Sequence, residues 1–405
     1  MRTDYLSAQD AAARLGVSLA TLYAYVSRGR VDSRPGPDGR TREYSATDIE
    51  QLIERRQAGR GAAQGAAHSL AWGLPVMETR ISLIRAHGHY YRGESAIALA
   101  KDGATLEKTA RLLWDCGDRD PFVAEVPDRW PVAVALLLQQ SNVPPLERTA
   151  AALPLLALDA AHAHSTDPLH RRHDAALLLR ETAALLCAAQ PGAQPIHHVM
   201  VTSWRKDQAG LSELVRGALV LCADHELNAS SFATRVAAST GASLHVAVCA
   251  GLATLSGPHH GGAVARAHAF IQDMLRERKP IDRVRERLRR GEALPGFGHP
   301  LYPEGDPRAT VLLEALHATR PRPAKLSSIE RLVETVQTQC GRRPNLDLAL
   351  AAIATSYELS ADVALAIFAA GRMAGWLAHA LEQQESGGLI RPRASYVGRM
   401  PQREG

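Results

Sequence analysis

Lysines and cysteines are scarce in this chain. Only five of its 47 basic residues are lysines, so arginine carries most of the positive charge. The net charge of +5 fits contacts with nucleic acid or with anionic substrates and does not decide between them. The five cysteines are scattered, odd in number and never arranged as C-x-x-C. The sequence therefore indicates neither a disulfide framework nor a zinc site, and it favours a reducing, cytoplasmic compartment.

Long uncharged apolar runs are also lacking. The first ten residues hold no apolar core of the kind that a signal peptide needs, and the apolar stretch around residues 150–163 is broken by Asp159. We therefore expect neither a signal peptide nor a membrane span. A hydrophobic content of 46% with 22% charged residues is ordinary for a globular protein, and 405 residues suit one large domain with a smaller one.

Residues 4–56 have the pattern of a small helix-turn-helix unit. A capping box beginning at Ser7 precedes a short apolar helix that Gly16 ends, and a second helix follows at 19–27. Two short helices joined by a glycine-containing turn are typical of helix-turn-helix domains. Arginine-rich segments on either side of a glycine-rich turn then predict a two-stranded wing, and residues 48–55 predict a closing helix. We place this domain at 1–58.

The rest of the chain is predicted to be mainly helical. Residues 59–68 are small and lack apolar anchors, which predicts a linker. From residue 69 to 405, leucine and alanine recur at spacings of three and four, so we predict an all-α large domain. Glycine and proline clusters at 257–262, 295–307 and 341–344 interrupt the helices, and loops of this kind often carry the chemistry.

Four segments combine a titratable side chain with a helix breaker or a potential cap: ADHELNAS, GPHHGGA, PGFGH running into DPRA, and PNLD. Histidines and a carboxylate on loops are also compatible with a metal site. However, His225, His260 and His299 lie 35 and 39 residues apart, without a local pair such as H-x-H. The spacing therefore favours acid–base chemistry, in which a carboxylate takes a proton from carbon and imidazoles stabilise the developing negative charge.

Together with GRMAGWLAH and RPR, these strings make residues 70–400 closely similar to the citrate synthase family. The resemblance implies a two-domain helical fold, with a small domain at roughly 262–365 inserted in the large one. It implies a homodimeric acyltransferase of the tricarboxylic acid cycle that condenses acetyl-CoA with oxaloacetate and water to give citrate and CoA. Acetyl-CoA is then a co-substrate, and no metal or permanently bound cofactor is expected.

The resemblance also implies a role for each site residue. His260 polarises the thioester carbonyl, and Asp347 removes a proton from the adjacent carbon. His299 polarises the oxaloacetate carbonyl under attack. The oxaloacetate is held by His225, Arg308 and Arg372 and by Arg391, which reaches the site of the neighbouring subunit. For Asp347 the alternative is a structural helix cap.

One departure from the family pattern concerns coenzyme A. PLYPEG follows His299 in place of the basic residues of the H-R-V-Y-K type, one of which contacts CoA phosphate in relatives. We expect this loss to affect CoA affinity, acyl preference or turnover, unless Arg266, Arg393 or Arg399 compensates. A second departure, Cys222 in place of a histidine, carries little weight.

Two further interpretations stay open. A 2-methylcitrate synthase uses propionyl-CoA in the same chemistry, and one methylene changes binding by only about 1–3 kcal/mol. The strings AARLGVSLATLYAYVSRGRV and TREYSATDIEQL resemble MerR-like or excisionase-like winged helix-turn-helix domains. The second interpretation is therefore a DNA-binding regulator whose synthase-like domain senses metabolites, although ten arginines against eight acids in residues 1–60 make a modest charge for a DNA reader. No membrane partner is expected.

Overall fold

The computed structural model of the chain consists of two compact units. One unit comprises residues 1–78 with 392–405, and the other comprises residues 79–391. The residues that the structure describes are 5–28, 30–36, 41–58, 77–85, 88–123, 125–140, 142–160, 162–204 and 210–393. The predicted linker at 59–68 lies outside these ranges, and the inserted domain at roughly 262–365 stays a prediction.

The first unit contains the two predicted helices, α1 (Ala8–Leu15) and α2 (Leu19–Ser27). Ser7 caps α1 by accepting a hydrogen bond from the backbone N–H three residues further on, at 3.2 Å. Gly16 ends α1 with a φ of 63°, which glycine adopts without strain. Ser18 caps α2 in the same way as Ser7 caps α1. The local sequence signals for both helices are confirmed.

A three-stranded antiparallel sheet and a third helix complete this unit. The strands are β1 (Tyr5–Ser7), β2 (Ser33–Pro35) and β3 (Arg42–Ser45), in the order β1-β3-β2, and α3 (Ala46–Ala58) follows. The sequence predicted only two strands, because a three-residue strand has too few positions to display an alternating pattern. A small apolar core, with Leu22 fully buried, joins the helices to the sheet.

Helices dominate the second unit, as the leucine and alanine periodicity predicted. Four of them begin with a proline, which lacks the N–H that a helix start leaves unpaired. The α-helices are α4 (Ala96–Lys101), α5 (Leu106–Leu113), α6 (Val132–Leu138), α7 (Pro145–Asp159), α8 (Pro168–Leu186), α9 (Ile196–Ser203), α10 (Leu211–Cys222), α11 (Ala229–Ala238), α12 (Leu244–Leu255), α13 (Gly262–Arg276), α14 (Pro280–Arg289), α15 (Pro307–Ala318), α16 (Leu326–Cys340), α17 (Leu346–Ser356) and α18 (Ala361–Ser386). A short 3-10 helix lies at Pro121–Val123.

Helix α18 lies in the core of the second unit. It packs against α10, α11, α12 and α13. A Cβ atom at Gly371 would lie 2.7 Å from the Cβ of Cys222, so glycine is needed for this close approach to α10. Length and composition alone would allow α18 to cross a membrane, but 89% of its most apolar window is buried inside the protein. This degree of burial is typical of a core helix.

A small antiparallel sheet in the second unit was not predicted from the helical pattern. Its strands are β4 (Ser82–Arg85), β5 (Gly88–Tyr91) and β6 (Glu94–Ser95), in that order. The Tyr91 hydroxyl donates a hydrogen bond of 2.8 Å to the backbone carbonyl of Val220 in α10. This contact holds β5 beside the end of α10, from which the first motif loop begins.

Candidate active site

Six of the seven predicted site residues come together in the second unit. They lie in the loops after α10, before α13 and before α15, in the first turns of α15 and α17, and in the middle of α18: His225, His260, His299, Arg308, Asp347 and Arg372. The seventh, Arg391, is exposed beyond the end of α18, and no contact joins it to the other six among the described residues.

His225 lies in a cluster of aromatic rings. Its ring centroid is 5.4 Å from that of His299, and its Nε2 lies 3.1 Å from the hydroxyl of Tyr302. The Arg308 guanidinium is 5.4 Å from the centre of the same tyrosine ring. Burial and the charge of Arg308 hold the pKa of His225 well below its usual value. His225 is therefore a neutral imidazole at pH 7.

The carboxylate of Asp224 supports the loop that carries His225. One oxygen accepts hydrogen bonds from the Ser82 hydroxyl and, at 3.0 Å, from the Glu226 N–H. The other oxygen lies 3.3 Å from Nε2 of His379 in α18. Burial alone would raise the pKa of Asp224, but His379 and the hydrogen bonds outweigh it, so the pKa lies below its usual value. An ionised carboxylate thus ties this loop to β4, with the His379 ring of α18 beside it.

His299 has a defined tautomer. Its Nδ1 accepts a hydrogen bond of 3.1 Å from the backbone N–H of Leu301. Burial, followed by the charge of Arg308, lowers the pKa of His299 to about 4. A neutral imidazole whose Nδ1 accepts carries its proton on Nε2. His299 can therefore donate a hydrogen bond from Nε2, as the polarisation of a carbonyl requires.

His260 is positioned by Ser230, which belongs to the first motif. The Ser230 Oγ lies 2.7 Å from His260 Nε2, 2.7 Å from Asn228 Oδ1 and 3.0 Å from the indole nitrogen of Trp376. Because an indole N–H only donates, Ser230 accepts from Trp376, and its own proton is shared between Asn228 and His260. When that proton points to His260, Nε2 accepts and the imidazole proton resides on Nδ1.

The charge state of His260 fits a role as a hydrogen-bond donor. Burial, with a smaller contribution from Arg372, lowers its pKa to about 4. The ring is neutral at pH 7 and still offers one N–H. Phe368 packs edge-on against it at 6.1 Å, and the Arg372 guanidinium lies 4.9 Å from the centre of the same phenyl ring.

Asp306 connects Arg308 to the helix that carries the candidate base. It accepts hydrogen bonds from Arg308 Nε at 3.0 Å and from Nη2 at 2.8 Å, and it accepts a third from the N–H of Leu346 at 3.1 Å. Both charged side chains are almost fully buried. Fork geometry of this kind fixes the guanidinium plane, so the first turns of α15 and α17 are held together.

Asp347 is not the cap of α17. Asn345 caps this helix, with its side-chain oxygen accepting the N–H of Leu348 at 3.3 Å. The alternative role for Asp347 is therefore wrong. Although the Asp347 side chain keeps some exposure, burial raises its pKa to about 6, against an opposing contribution from Arg308. At pH 7 to 8 it is an ionised carboxylate that is more basic than an exposed one.

Arg372 projects from α18 with part of its guanidinium unoccupied. Its Nε donates to the backbone carbonyl of Cys222 at 2.9 Å. Its two Nη groups have no hydrogen-bond partner in the part of the chain that the structure describes. Burial lowers its pKa, but only from the high value usual for arginine, so it stays charged. It can therefore bind a carboxylate.

Several arginines are candidates to replace the basic residues that the loop after His299 lacks. Arg266 and Arg393 are exposed, and Arg399 lies outside the described residues. Arg343 was not predicted. Its backbone carbonyl accepts a hydrogen bond of 2.8 Å from the N–H of Gly298, and its side chain packs over Gly305, so it borders the loop that lacks basic residues.

Several residues that support the site were not predicted as functional. Ser230, Tyr302 and Asp306 lie inside the motif strings or the loops beside them, so position in a motif was an available signal. Trp376 and His89 carry no local signal, since each enters the site through contacts between distant parts of the sequence. Among the described residues, no group of three or more potential ligands could hold a metal ion.

The fold and this geometry define a helical protein with a buried, arginine-lined site for acid–base chemistry on an anionic compound. A family model described as "Citrate synthase, C-terminal domain" matches residues 69–393, and one described as "Helix-turn-helix domain" matches residues 5–57. Because the first match covers most of the sequence, the chain belongs to the citrate synthase family.

Curated relatives include both citrate and 2-methylcitrate synthases. A citrate synthase of Haloferax volcanii is 40% identical over 192 residues, which cover 46% of this chain and 51% of the relative. Citrate synthase 2 of Bacillus subtilis is 31% identical over 64% of this chain and 73% of its own length. A 2-methylcitrate synthase of Shewanella oneidensis is 36% identical over 46% of this chain and 50% of its own. The chain thus spans about half the length of two of these relatives.

A solved structure extends the likeness over most of the chain. Citrate synthase of Thermoplasma acidophilum, in a ternary complex with carboxymethyl coenzyme A and oxaloacetate, has a TM-score of 0.68. The superposition covers 82% of this chain and 96% of that one at 23% sequence identity. At this identity the likeness establishes the fold, and the predicted citrate-synthase-like helical fold is confirmed.

Proposed function

We propose that the second unit condenses acetyl-CoA with oxaloacetate and water to give citrate and CoA. The observation that carries the proposal is the combination of a carboxyl group with a raised pKa, Asp347, and two neutral imidazoles, His260 and His299, beside two buried arginines. This reaction requires a base that removes a proton from carbon and hydrogen-bond donors that stabilise two developing oxyanions. It also requires cations that bind the carboxylates of the substrate.

The first step forms a carbon nucleophile. Asp347 takes a proton from the methyl carbon next to the thioester, and the electron pair moves toward the carbonyl oxygen. In this step the Ser230 hydroxyl donates its proton to Nε2 of His260, so the imidazole carries its own proton on Nδ1 and donates it to that oxygen. Removing such a proton is unfavourable unless the oxyanion meets a preorganised donor, so the base and His260 act together.

The second step forms the new carbon–carbon bond. The nucleophile attacks the oxaloacetate carbonyl carbon while His299 donates its Nε2–H to the carbonyl oxygen. Arg308, Arg372 and His225 hold the substrate carboxylates, with an arginine equivalent to Arg391 supplied by the second subunit of a homodimer. Water then hydrolyses the thioester of the condensed product, releasing CoA and citrate. The release of CoA makes the overall reaction effectively irreversible.

The acyl donor has one alternative. Propionyl-CoA differs from acetyl-CoA by one methylene, worth about 1–3 kcal/mol in an apolar pocket. A 2-methylcitrate synthase is therefore the alternative with the same chemistry, and one relative carries that name.

A DNA-binding regulator is the second candidate function. It is favoured by the exposed face of the helix-turn-helix unit, where Tyr23 of α2 is 50% exposed and Arg28, Arg30 and Arg42 are exposed. This function does not require turnover in the second unit, so the two candidates are separable. We also propose the domain boundaries 1–58 and 69–405 and a cytoplasmic location.

Thiol release from acetyl-CoA and from propionyl-CoA in the presence of oxaloacetate tests the enzymatic proposal. We expect the wild type to release thiol and Asp347→Asn to lose activity by about 100-fold or more, since general-base catalysis contributes about 10²–10⁴-fold. Asp282→Asn, an exposed carboxylate in α14, is the matched control and retains full activity. Absence of turnover of both thioesters by the wild type would contradict the proposal.

A further inference from the structure

His89 is a buried imidazole that the roles described so far leave unused. It lies in β5, is fully buried, and neither of its ring nitrogens has a hydrogen-bond partner in the described part of the chain. Burying a polar group without a partner destabilises a protein, so most buried imidazoles are paired. A leucine would fill a similar volume without this cost. The position of His89 therefore calls for a functional explanation.

The surroundings of His89 are those of the candidate substrate site. Its ring contacts the ring of His225 edge-on, with the centroids 5.3 Å apart, and the ring of Tyr91 at 4.8 Å. The charged groups that act on it are Arg308, Asp224, Arg372 and Asp306, in decreasing order. Two of these are the arginines proposed to hold the substrate carboxylates.

The burial of His89 does not separate it from the substrate site. The residues already proposed to bind substrate are almost as buried, with exposures of 8% for His225, 3% for Arg308 and 2% for Arg372. Burial and the charge of Arg308 lower the pKa of His89 to about 3. The ring is thus neutral and offers one N–H donor and one acceptor nitrogen. A bound dicarboxylate is the partner that these atoms lack.

We propose that His89 is an additional substrate-binding residue, whose ring N–H donates a hydrogen bond to a carboxylate of the 2-oxo dicarboxylate bound between Arg308 and Arg372. This inference rests on the proposed function, since it assigns a further contact within the same site. The inference also explains why the ring nitrogens of His89 are unpaired in the free protein. Burying them lowers the stability of the fold, but they contribute binding energy when the diacid is present.

The test measures oxaloacetate binding and protein stability together. Calorimetry gives the Kd of oxaloacetate for the wild type and for His89→Leu, and steady-state kinetics give the KM values for oxaloacetate and acetyl-CoA. We expect the Kd and KM for oxaloacetate to rise about 10- to 100-fold, as for the loss of a hydrogen bond to a charged group. The KM for acetyl-CoA stays within about 2-fold. The thermal midpoint of His89→Leu equals or exceeds that of the wild type.

Two variants keep the test decisive. His89→Asn retains a hydrogen-bond donor and restores part of the affinity, and it replaces His89→Leu if the latter does not fold. His197→Leu is the matched control, because His197 is also buried with an unpaired ring nitrogen but is influenced by none of the site residues. Its Kd for oxaloacetate stays at the wild-type value.

The outcomes distinguish this inference from the proposed function. If the wild type turns over and His89→Leu binds oxaloacetate as tightly, His89 is not a binding residue and the proposed function stands. If the wild type binds oxaloacetate without releasing thiol, the proposed function fails, and the ratio of the two Kd values still decides the role of His89. A wild type that does not bind oxaloacetate overturns the inference.

Discussion

Asp306 offers the sharpest test of how the site is held together. In Asp306→Asn one carboxylate oxygen becomes an amide NH2. If that group replaces Oδ2, it faces the Arg308 Nη2 and the N–H of Leu346, both of which are donors now bound at 2.8 Å and 3.1 Å. If it replaces Oδ1, it faces the Nε and the backbone N–H of Arg308, both bound at 3.0 Å. In either orientation two donors lose their acceptor, and Arg308 keeps a buried, uncompensated charge.

The expected loss of stability follows from this burial. Arg308 is 3% exposed and Asp306 1% exposed, so water does not replace the lost partner. Removing one partner of a buried ion pair costs about 3–5 kcal/mol, a large share of the total stability of a typical domain. Exposed ion pairs on the same protein would contribute about 1 kcal/mol or less.

The pH dependence gives a second signature. Burial alone would raise the pKa of Asp306, but the Arg308 charge and hydrogen bonds outweigh it, and the net pKa is lowered. A carboxyl group with a lowered folded-state pKa stabilises the protein above its unfolded-state pKa, and this contribution is lost as the pH falls through the folded-state value. The difference in stability between the wild type and Asp306→Asn should therefore narrow in acid.

Urea unfolding at equal protein concentrations measures the effect at pH 7 and at decreasing pH. Asp282→Asn, which changes an exposed carboxylate, is the control and should stay within about 0.5 kcal/mol of the wild type. A loss below about 1 kcal/mol for Asp306→Asn at pH 7 would refute the assignment of Asp306 as the partner of a buried charge.

Three further predictions concern catalysis and DNA. Trp376→Phe removes the indole N–H that orients Ser230, and Ser230 in turn positions the hydrogen-bond donor His260. We therefore expect kcat to fall about 10-fold with little change in either KM. An unchanged kcat would contradict this role of Trp376. Because the pKa of Asp347 is raised to about 6, kcat/KM should fall as the pH drops through about 6 and the base becomes protonated; a profile that is flat between pH 5 and 8, within about 2-fold, would argue against this base. The third prediction is tested by titration with duplex DNA at two salt concentrations. The full chain should bind DNA more weakly at the higher salt concentration, and deletion of residues 1–58 should abolish binding. DNA binding that survives the deletion would exclude the helix-turn-helix unit as the DNA-binding element.

The sequence predicted the structure best where a feature depends only on residues within one helical turn of each other. Ser7 and Ser18 were recognisable as caps because each acts on a residue three positions away. Proline and glycine clusters located the loops of the site because these residues interrupt helices at their own positions. The strands β1 and β4 to β6 escaped prediction, because short strands depend on partners elsewhere in the chain.

The sequence by itself determined the helical character of the chain, the helix-turn-helix unit and the identity of six side chains that meet in one site. Their order in the motifs carried that information without any knowledge of distances. Only the tertiary structure decided which protein groups surround them. Trp376 reaches Ser230 across 146 residues, and His89 meets His225 through a sheet that the sequence did not reveal. Burial and long-range contacts set pKa values and hydrogen-bond partners, and neither is encoded in local periodicity.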